Sequence, residues 1–214
     1  MDEDFSIINS NTRNEKIKNF FLNNKNKFIS GIIILFLCII GAYSFDKYTK
    51  DKKKKISDNY NFTIIEYSNT NKASTAKKLI NIINEKDPTY SPLSLYFIID
   101  NSLVSDKKKI NELFDILIEQ TSLDKEIKNL VIYKKALLNA DQSTEIELLN
   151  ILNPLINSES VWKSHALYLI AEFFYARDQK QKSKEFFNKI ISLENSNPYI
   201  KSQSQQRLNR DLSE

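Results

Sequence analysis

HALYLIAEFFYARDQKQKSKEFFNKIISL, His165 to Leu193, holds two helix-length segments around a short polar joint. Val161–Arg177 and Lys180–Leu193 each repeat apolar residues at intervals of three and four, the spacing that lays one stripe along a helix. Asp178–Gln179 joins them in too few residues for anything but a reversal, so the two read as an antiparallel helix pair.

The same grammar extends upstream. Ala73–Glu85 aligns Ala76, Leu79, Ile80 and Ile83; Asp106–Gln120 aligns Ile110, Leu113, Ile116 and Leu117; Asp124–Leu138 aligns Ile127, Leu130, Val131 and Leu137. Ser91 reads as an N-cap with Pro92 at the first helical position, and LSLYFIIDNSL, apolar almost all round, belongs in the middle of the domain. Asp106 stands at the mouth of its helix. In Ser143–Ile156, Thr144 precedes Glu145 and Glu147, acids that suit a helix N-terminus, and Pro154 ends the helix or kinks its last turn. Asn197 and Pro198 restart a terminal helix, Tyr199 to Leu212, whose polar outer side fits a solvated end cap. Ahead of these segments, the helix through the lysine run is expected to continue into NFTIIEYS, with Phe62, Ile65 and Tyr67 turned toward other helices.

Glycine supports an all-α domain. Gly31 and Gly41 are the only two, and both precede the domain. That excludes a Gly-rich phosphate loop, a dinucleotide fingerprint and glycine-built hairpins from the rest of the chain.

Both glycines lie in FISGIIILFLCIIGAYSF, Phe28 to Phe45, a run without charge. A bilayer core about 30 Å thick needs roughly 17–25 helical residues, so the run is long enough to span one. Lys27 and Asp46–Lys47 bound it, and Tyr43, Phe45 and Tyr48 suit an interface. Ala42-Tyr43-Ser44 loosely resembles a signal-peptide cleavage site, but the long polar lead and the length of the run favour an uncleaved anchor. Before it, KIKNFF places Ile17, Phe20 and Phe21 where they rest on a membrane surface or belong to a disordered tail.

Charge is uneven. The chain carries 31 basic and 27 acidic side chains, of which 11 and 6 lie in the first 57 residues. The excess clusters in KYTKDKKKK, Lys47 to Lys55, which reads first as attraction to anionic lipid. No basic face marks the remainder, so no nucleic-acid partner is expected. Arg13, Lys16, Lys18, Lys25 and Lys27 before the anchor nearly balance Lys47, Lys50 and Lys52–Lys55 after it, so charge alone does not orient the span.

Chemistry-bearing residues are sparse. Cys38 is the single cysteine and lies in the apolar run, which rules out a disulfide framework. With Ala42 it offers a small-residue face, though lipid contact is the plainer reading. His165 is the only histidine, and no second His or Cys joins it as a metal ligand. Ser164 beside it points elsewhere on a helix. Glu145 and Glu147, two apart, face different directions and do not form a catalytic dyad. Trp162 reads as a core or inter-repeat contact more readily than as a partner anchor. No catalytic, cofactor or metal residue is expected.

Helix starts near Pro92, Lys128 and Ser164 recur at 36 residues, close to the 34 of tetratricopeptide repeats. The His165–Leu193 pair resembles that repeat at Ile170–Ala171, Phe174, Ser183, Phe187 and Ile190. Ala171 and Ser183 are small enough for two helices to approach, and Phe174 and Phe187 fill the space around them. Ile190 stands where the motif has Ala, and bulky Ile99 stands at a small-residue site of an earlier pair. In this repeat type the first helix of each pair lines the concave side, which assigns a partner-binding groove to His165, Tyr168, Glu172 and Tyr175.

The whole layout is similar to a family of single-span bacterial inner-membrane proteins with a tetratricopeptide-like periplasmic domain, ancillary subunits of the SecYEG translocon. The similarity rests on the acidic N-terminus, NEKIKNFFLNNKNK, DPTYSPLSLYF, WKSHALYLIAEFFYARDQKQKSKEFF and the closing QQRLNRDL. It implies a polar tail at 1–27, a transmembrane helix at 28–45, a basic juxtamembrane segment at 46–57 and a tetratricopeptide-like solenoid at 58–214. It further implies a cytoplasmic N-terminus, a periplasmic domain and a scaffold linking the translocon to periplasmic chaperones or their clients. A scaffold for envelope assembly or division, a membrane-anchored enzyme and a purely electrostatic tether are the other readings that this layout admits.

Overall fold

A computed structural model of the chain describes residues 2–212. Met1, Ser213 and Glu214, at the ends of the expected tail and solenoid, lie outside the described residues. All regular elements among those described are helical. The chain divides into two compact units, Met1–Lys55 and Ile56–Glu214.

The first unit contains α1 (Asp2–Asn23) and the start of α2 (Lys25–Ile65). The polar stretch ahead of the apolar run forms α1, a long helix. Its end meets α2 through three rings: Phe21 stacks on Phe28 at 4.7 Å, and Phe20 meets Phe28 edge-on at 6.0 Å. α2 contains the whole apolar run, and every residue of 28–45 is exposed. It is long and apolar enough to cross a membrane. No Gly or Pro interrupts the helix between Ala42 and Ile65, so it runs on through the lysines.

The second unit begins at Ile56, two residues before the expected boundary. It comprises the end of α2, α3 (Lys72–Asn84), α4 (Tyr90–Asp100), α5 (Lys107–Asp115), α6 (Lys125–Asn139), α7 (Glu145–Ile156), α8 (Lys163–Tyr175), α9 (Lys180–Ser192) and α10 (Pro198–Asp211). A π-helical turn, Ile116–Gln120, prolongs α5 and closes where the Thr121 hydroxyl donates to the Ile116 carbonyl at 3.1 Å.

Three helix starts follow the side chains expected of them. Asp106 accepts from the Lys108 amide, Asn197 from the amides of Tyr199 and Ile200, and Thr144 and Glu147 form a reciprocal capping box. α4 differs. Its first turn is held by Asp87, whose Oδ1 accepts from the amides of Thr89 and Tyr90 at 2.8 Å. Ser91 lies inside the helix, fully buried, and donates to the carbonyls of Ile82 and Ile83 on α3. Three turns that would favour glycine use other residues: Lys86, Ser102 and Asp178 take φ of 56°, 48° and 56°.

Apolar burial falls into three cores arranged in series. The first gathers Ile56, Leu79, Ile83, Leu95, Ile98, Leu113, Phe114, Leu117 and Val131. The second joins Ile132 and Ala136 of α6 to Leu148, Leu152 and Leu155 of α7 and Ile170 and Phe174 of α8. The third joins Leu167 and Ala171 of α8 to Phe187 and Ile190 of α9 and Ile200 and Leu212. α6 and α8 therefore each serve two cores. This rotates α6 from its expected stripe: Ile127 and Leu137 are exposed, while Ile132 and Ala136 are buried. Phe62 and Ile65 are likewise exposed; Tyr67 meets Phe97 edge-on as expected, and Ile56 and Tyr60, not Phe62 and Ile65, pack on the first core. Pro154 sits within α7, which ends two residues later at Ile156.

Candidate protein-binding surface

α8 presents two faces to the cores and a third, narrower one to its surroundings. Ala171, Phe174, Ser183, Phe187 and Ile190 are all buried in the contact of α8 with its neighbours. Tyr168 meets Phe187 edge-on at 5.5 Å and the Lys182 ammonium lies 5.0 Å from the Phe174 ring, so contacts run in opposite chain directions along α8 and α9. Arg177 closes the far end. Its guanidinium lies 3.6 Å from the centre of the Phe173 ring and donates to the Ser143 carbonyl at 3.2 Å.

The four residues assigned to a groove divide into two groups. Glu172 accepts a bidentate pair from Arg207 of α10, Nε to Oε1 at 2.8 Å and Nη2 to Oε2 at 2.7 Å. The same guanidinium covers the Tyr175 ring at 4.7 Å and donates to Asp211 at 2.7 Å. Arg210 and then Arg207 hold the Asp211 carboxyl well below the usual carboxylate range, and Glu172 in turn pushes Arg207 up. Burial, followed by the Glu172 carboxylate, raises the Tyr168 hydroxyl. Tyr168, Glu172 and Tyr175 thus lie against the terminal helix instead of forming an open row.

His165 belongs to a different group. Trp162 lies 5.1 Å from its ring, and Tyr133 of α6 approaches both, stacked on Trp162 at 5.7 Å and edge-on to His165 at 5.9 Å. Burial pushes the His165 imidazole down, partly offset by the Val161 carbonyl. Next to Tyr133, Lys134 places its ammonium 4.6 Å from the Tyr96 ring on α4, whose buried hydroxyl is pushed up to about 12. Two separate half-buried groups therefore flank α6, Lys134 over Tyr96 of α4 on one side and Tyr133 with Trp162 and His165 on another. Tyr133 and Lys134 escape a reading by stripe because they stand beside the apolar face of α6, and Tyr96 because α4 is apolar almost all round.

Glu126, at the start of α6, accepts from the Ser160 hydroxyl at 2.7 Å and the Val161 amide at 3.3 Å, which fixes the approach to Trp162. Elsewhere an open cleft of about 460 Å³ is lined by Asn111, Asn139, Gln142, Ser143, Glu147, Asn150 and Ile151. Its single carboxylate, Glu147, accepts from the Thr144 amide and hydroxyl in the capping box. Among the described residues no three His, Cys, Asp or Glu side chains converge as a metal site. No protein-family model, no curated protein and no solved structure matches the chain.

Proposed function

We propose that this chain is a membrane-anchored scaffold that binds other proteins through a solenoid of tetratricopeptide-like helix pairs. Within that class the favoured role is an ancillary subunit of the SecYEG translocon, linking it to periplasmic chaperones. The N-terminus is cytoplasmic, the helical domain periplasmic, and the membrane the bacterial inner membrane.

One observation carries the scaffold reading: Tyr133 of α6 and Trp162 and His165 at the start of α8 meet as a group of half-buried rings. Such residues supply contact area at low entropic cost, as interfaces require. The exposed apolar helix supports the anchor, and the order of sequence motifs supports the translocon role.

Purification of the full chain from membranes in mild detergent tests the assignment. SecY is expected among the retained proteins, and retention is expected to fall for Trp162→Ala. Absence of SecY, with envelope-assembly or division proteins retained in its place, transfers the scaffold to that role. A reporter fused at Glu214 and active only outside the cytoplasm tests the orientation; an inactive reporter rejects a periplasmic domain.

A further inference from the structure

Six lysines, Lys47, Lys50, Lys52, Lys53, Lys54 and Lys55, follow the apolar run directly on α2, and all six are exposed. α2 is helical throughout this stretch, so each residue turns the side chain by about 100°. Counting from Lys47, the six project at roughly 0, 300, 140, 240, 340 and 80° around the axis, leaving no gap wider than about 100°. Two acids interrupt them, Asp46 and Asp51, and Asp46 accepts from Lys50 at 2.7 Å. Six lysines against these two acids leave the stretch 46–55 with a net charge of +4 distributed around the axis.

That distribution selects the partner. A protein docks from one direction and is met by charge on one sector of a helix. A helix leaving a bilayer is ringed by headgroups, and only a full circle of charge meets them all. Along the axis, residues 47–55 cover about 12 Å, which matches the polar layer of one leaflet plus much of a Debye length at physiological salt. Nor does the block set orientation, because five basic residues before the run nearly offset these six.

We propose that residues 47–55 form a collar that concentrates anionic phospholipid headgroups around the anchor. This rests on the reading of residues 28–45 as membrane-spanning, and it adds a lipid ligand to a protein-binding scaffold.

The test reconstitutes the full chain in phosphatidylcholine vesicles containing spin-labelled phosphatidylglycerol or spin-labelled phosphatidylcholine. The fraction of each label immobilised at the protein is then read by electron paramagnetic resonance. The expected result is a preference for phosphatidylglycerol of roughly threefold or more at low salt, declining as salt is added. The variant K52Q/K53Q/K54Q/K55Q brings the two fractions close together, and the corresponding four-arginine variant retains the preference.

Equal immobilisation of both labels by the wild-type chain, with the chain still resisting carbonate extraction, overturns the collar and leaves the anchor standing. Release by carbonate removes the anchor and the collar together. A preference that survives in the four-glutamine variant also overturns the proposal. So does a loss of acidic co-purifying proteins in that variant without any change in lipid immobilisation, which would make the block a protein site.

Discussion

Replacing four buried serines with alanine, one at a time, separates the requirement for a small side chain from any requirement for its hydroxyl. Ser91, Ser94, Ser183 and Ser204 are each 0% exposed. Ser91 donates across to α3, reaching the Ile82 carbonyl at 3.0 Å, and Ser204 donates to the Ile200 carbonyl one turn back at 2.8 Å. The hydroxyls of Ser94 and Ser183 have no partner. A buried hydroxyl without a bond costs about 1–3 kcal/mol, and Ala adds roughly 0.5 kcal/mol of helix propensity. Ser94→Ala and Ser183→Ala are therefore expected to stabilise by about 1–2 kcal/mol. At about 2–4 °C per kcal/mol for a domain of this size, Tm rises by roughly 2–8 °C. Ser91→Ala loses an interhelical bond and about 1 kcal/mol. Ser204→Ala loses a bond to a carbonyl already engaged in its helix and stays within about 0.5 kcal/mol. Ser183→Leu overfills the α8–α9 contact and costs about 1–3 kcal/mol. Thermal unfolding of the full chain in detergent micelles, followed by the fluorescence of Trp162, the single tryptophan, reads all five. A loss of stability in Ser94→Ala and Ser183→Ala equal to that in Ser91→Ala would refute the assignment of unpartnered hydroxyls.

Ser102→Gly and Asp178→Gly relieve left-handed backbone at φ of 48° and 56°, and each is expected to raise Tm by about 1–4 °C in the same assay; a lower Tm contradicts the assigned backbone. Thr144→Ala removes the α7 capping box and costs about 1 kcal/mol by urea denaturation, with an unchanged midpoint counting against it. His165, whose folded pKa lies below 6.5, binds fewer protons folded than unfolded, so its contribution to stability is complete above 6.5 and declines as pH falls toward the folded value. Trp162 fluorescence is expected to titrate with a midpoint below 6.5 and to lose that transition in His165→Gln; a midpoint above 6.5 refutes burial as the dominant influence.

Helices and their boundaries were legible wherever one residue did one job. Asp106, Thr144 and Asn197 cap because each offers a side-chain oxygen within reach of its own next turn. Ser91 misled because serine has two uses: the hydroxyl that could cap α4 instead bonds α3, and Asp87, three residues before Tyr90, makes the cap. α6 misled because a stripe can be read cleanly only for a helix with one buried face. Val131 faces the first core and Ile132 the second, so the buried arc is wider than Ile127, Leu130 and Leu137 imply. The partner of Glu172 was beyond reach for another reason. Arg207 lies 35 residues away, and only the packing of α10 on α8 brings the two charges together.

The helices that serve two cores also limit the surface that stays uncovered. α6 gives Val131 to one core and Ile132 and Ala136 to the next, so what remains beside them is a strip bearing Tyr133 and Lys134. α8 does the same between the second and third cores, which leaves Trp162 and His165 at its start half-buried while Glu172 and Tyr175 lie under Arg207 of α10. A side chain on such a strip is neither free nor enclosed, a position that favours rings, which can pack on one side and meet solvent at the other. Where two such helices meet, as at Tyr133 and Trp162, the rings stack and leave a shallow surface instead of a hollow. Such a surface suits a helix or an extended segment and has too little depth to surround a small molecule. Serial packing of helices that share cores thus accounts for the half-buried rings at Tyr133, Trp162 and His165 and for the kind of ligand a scaffold of this construction would hold.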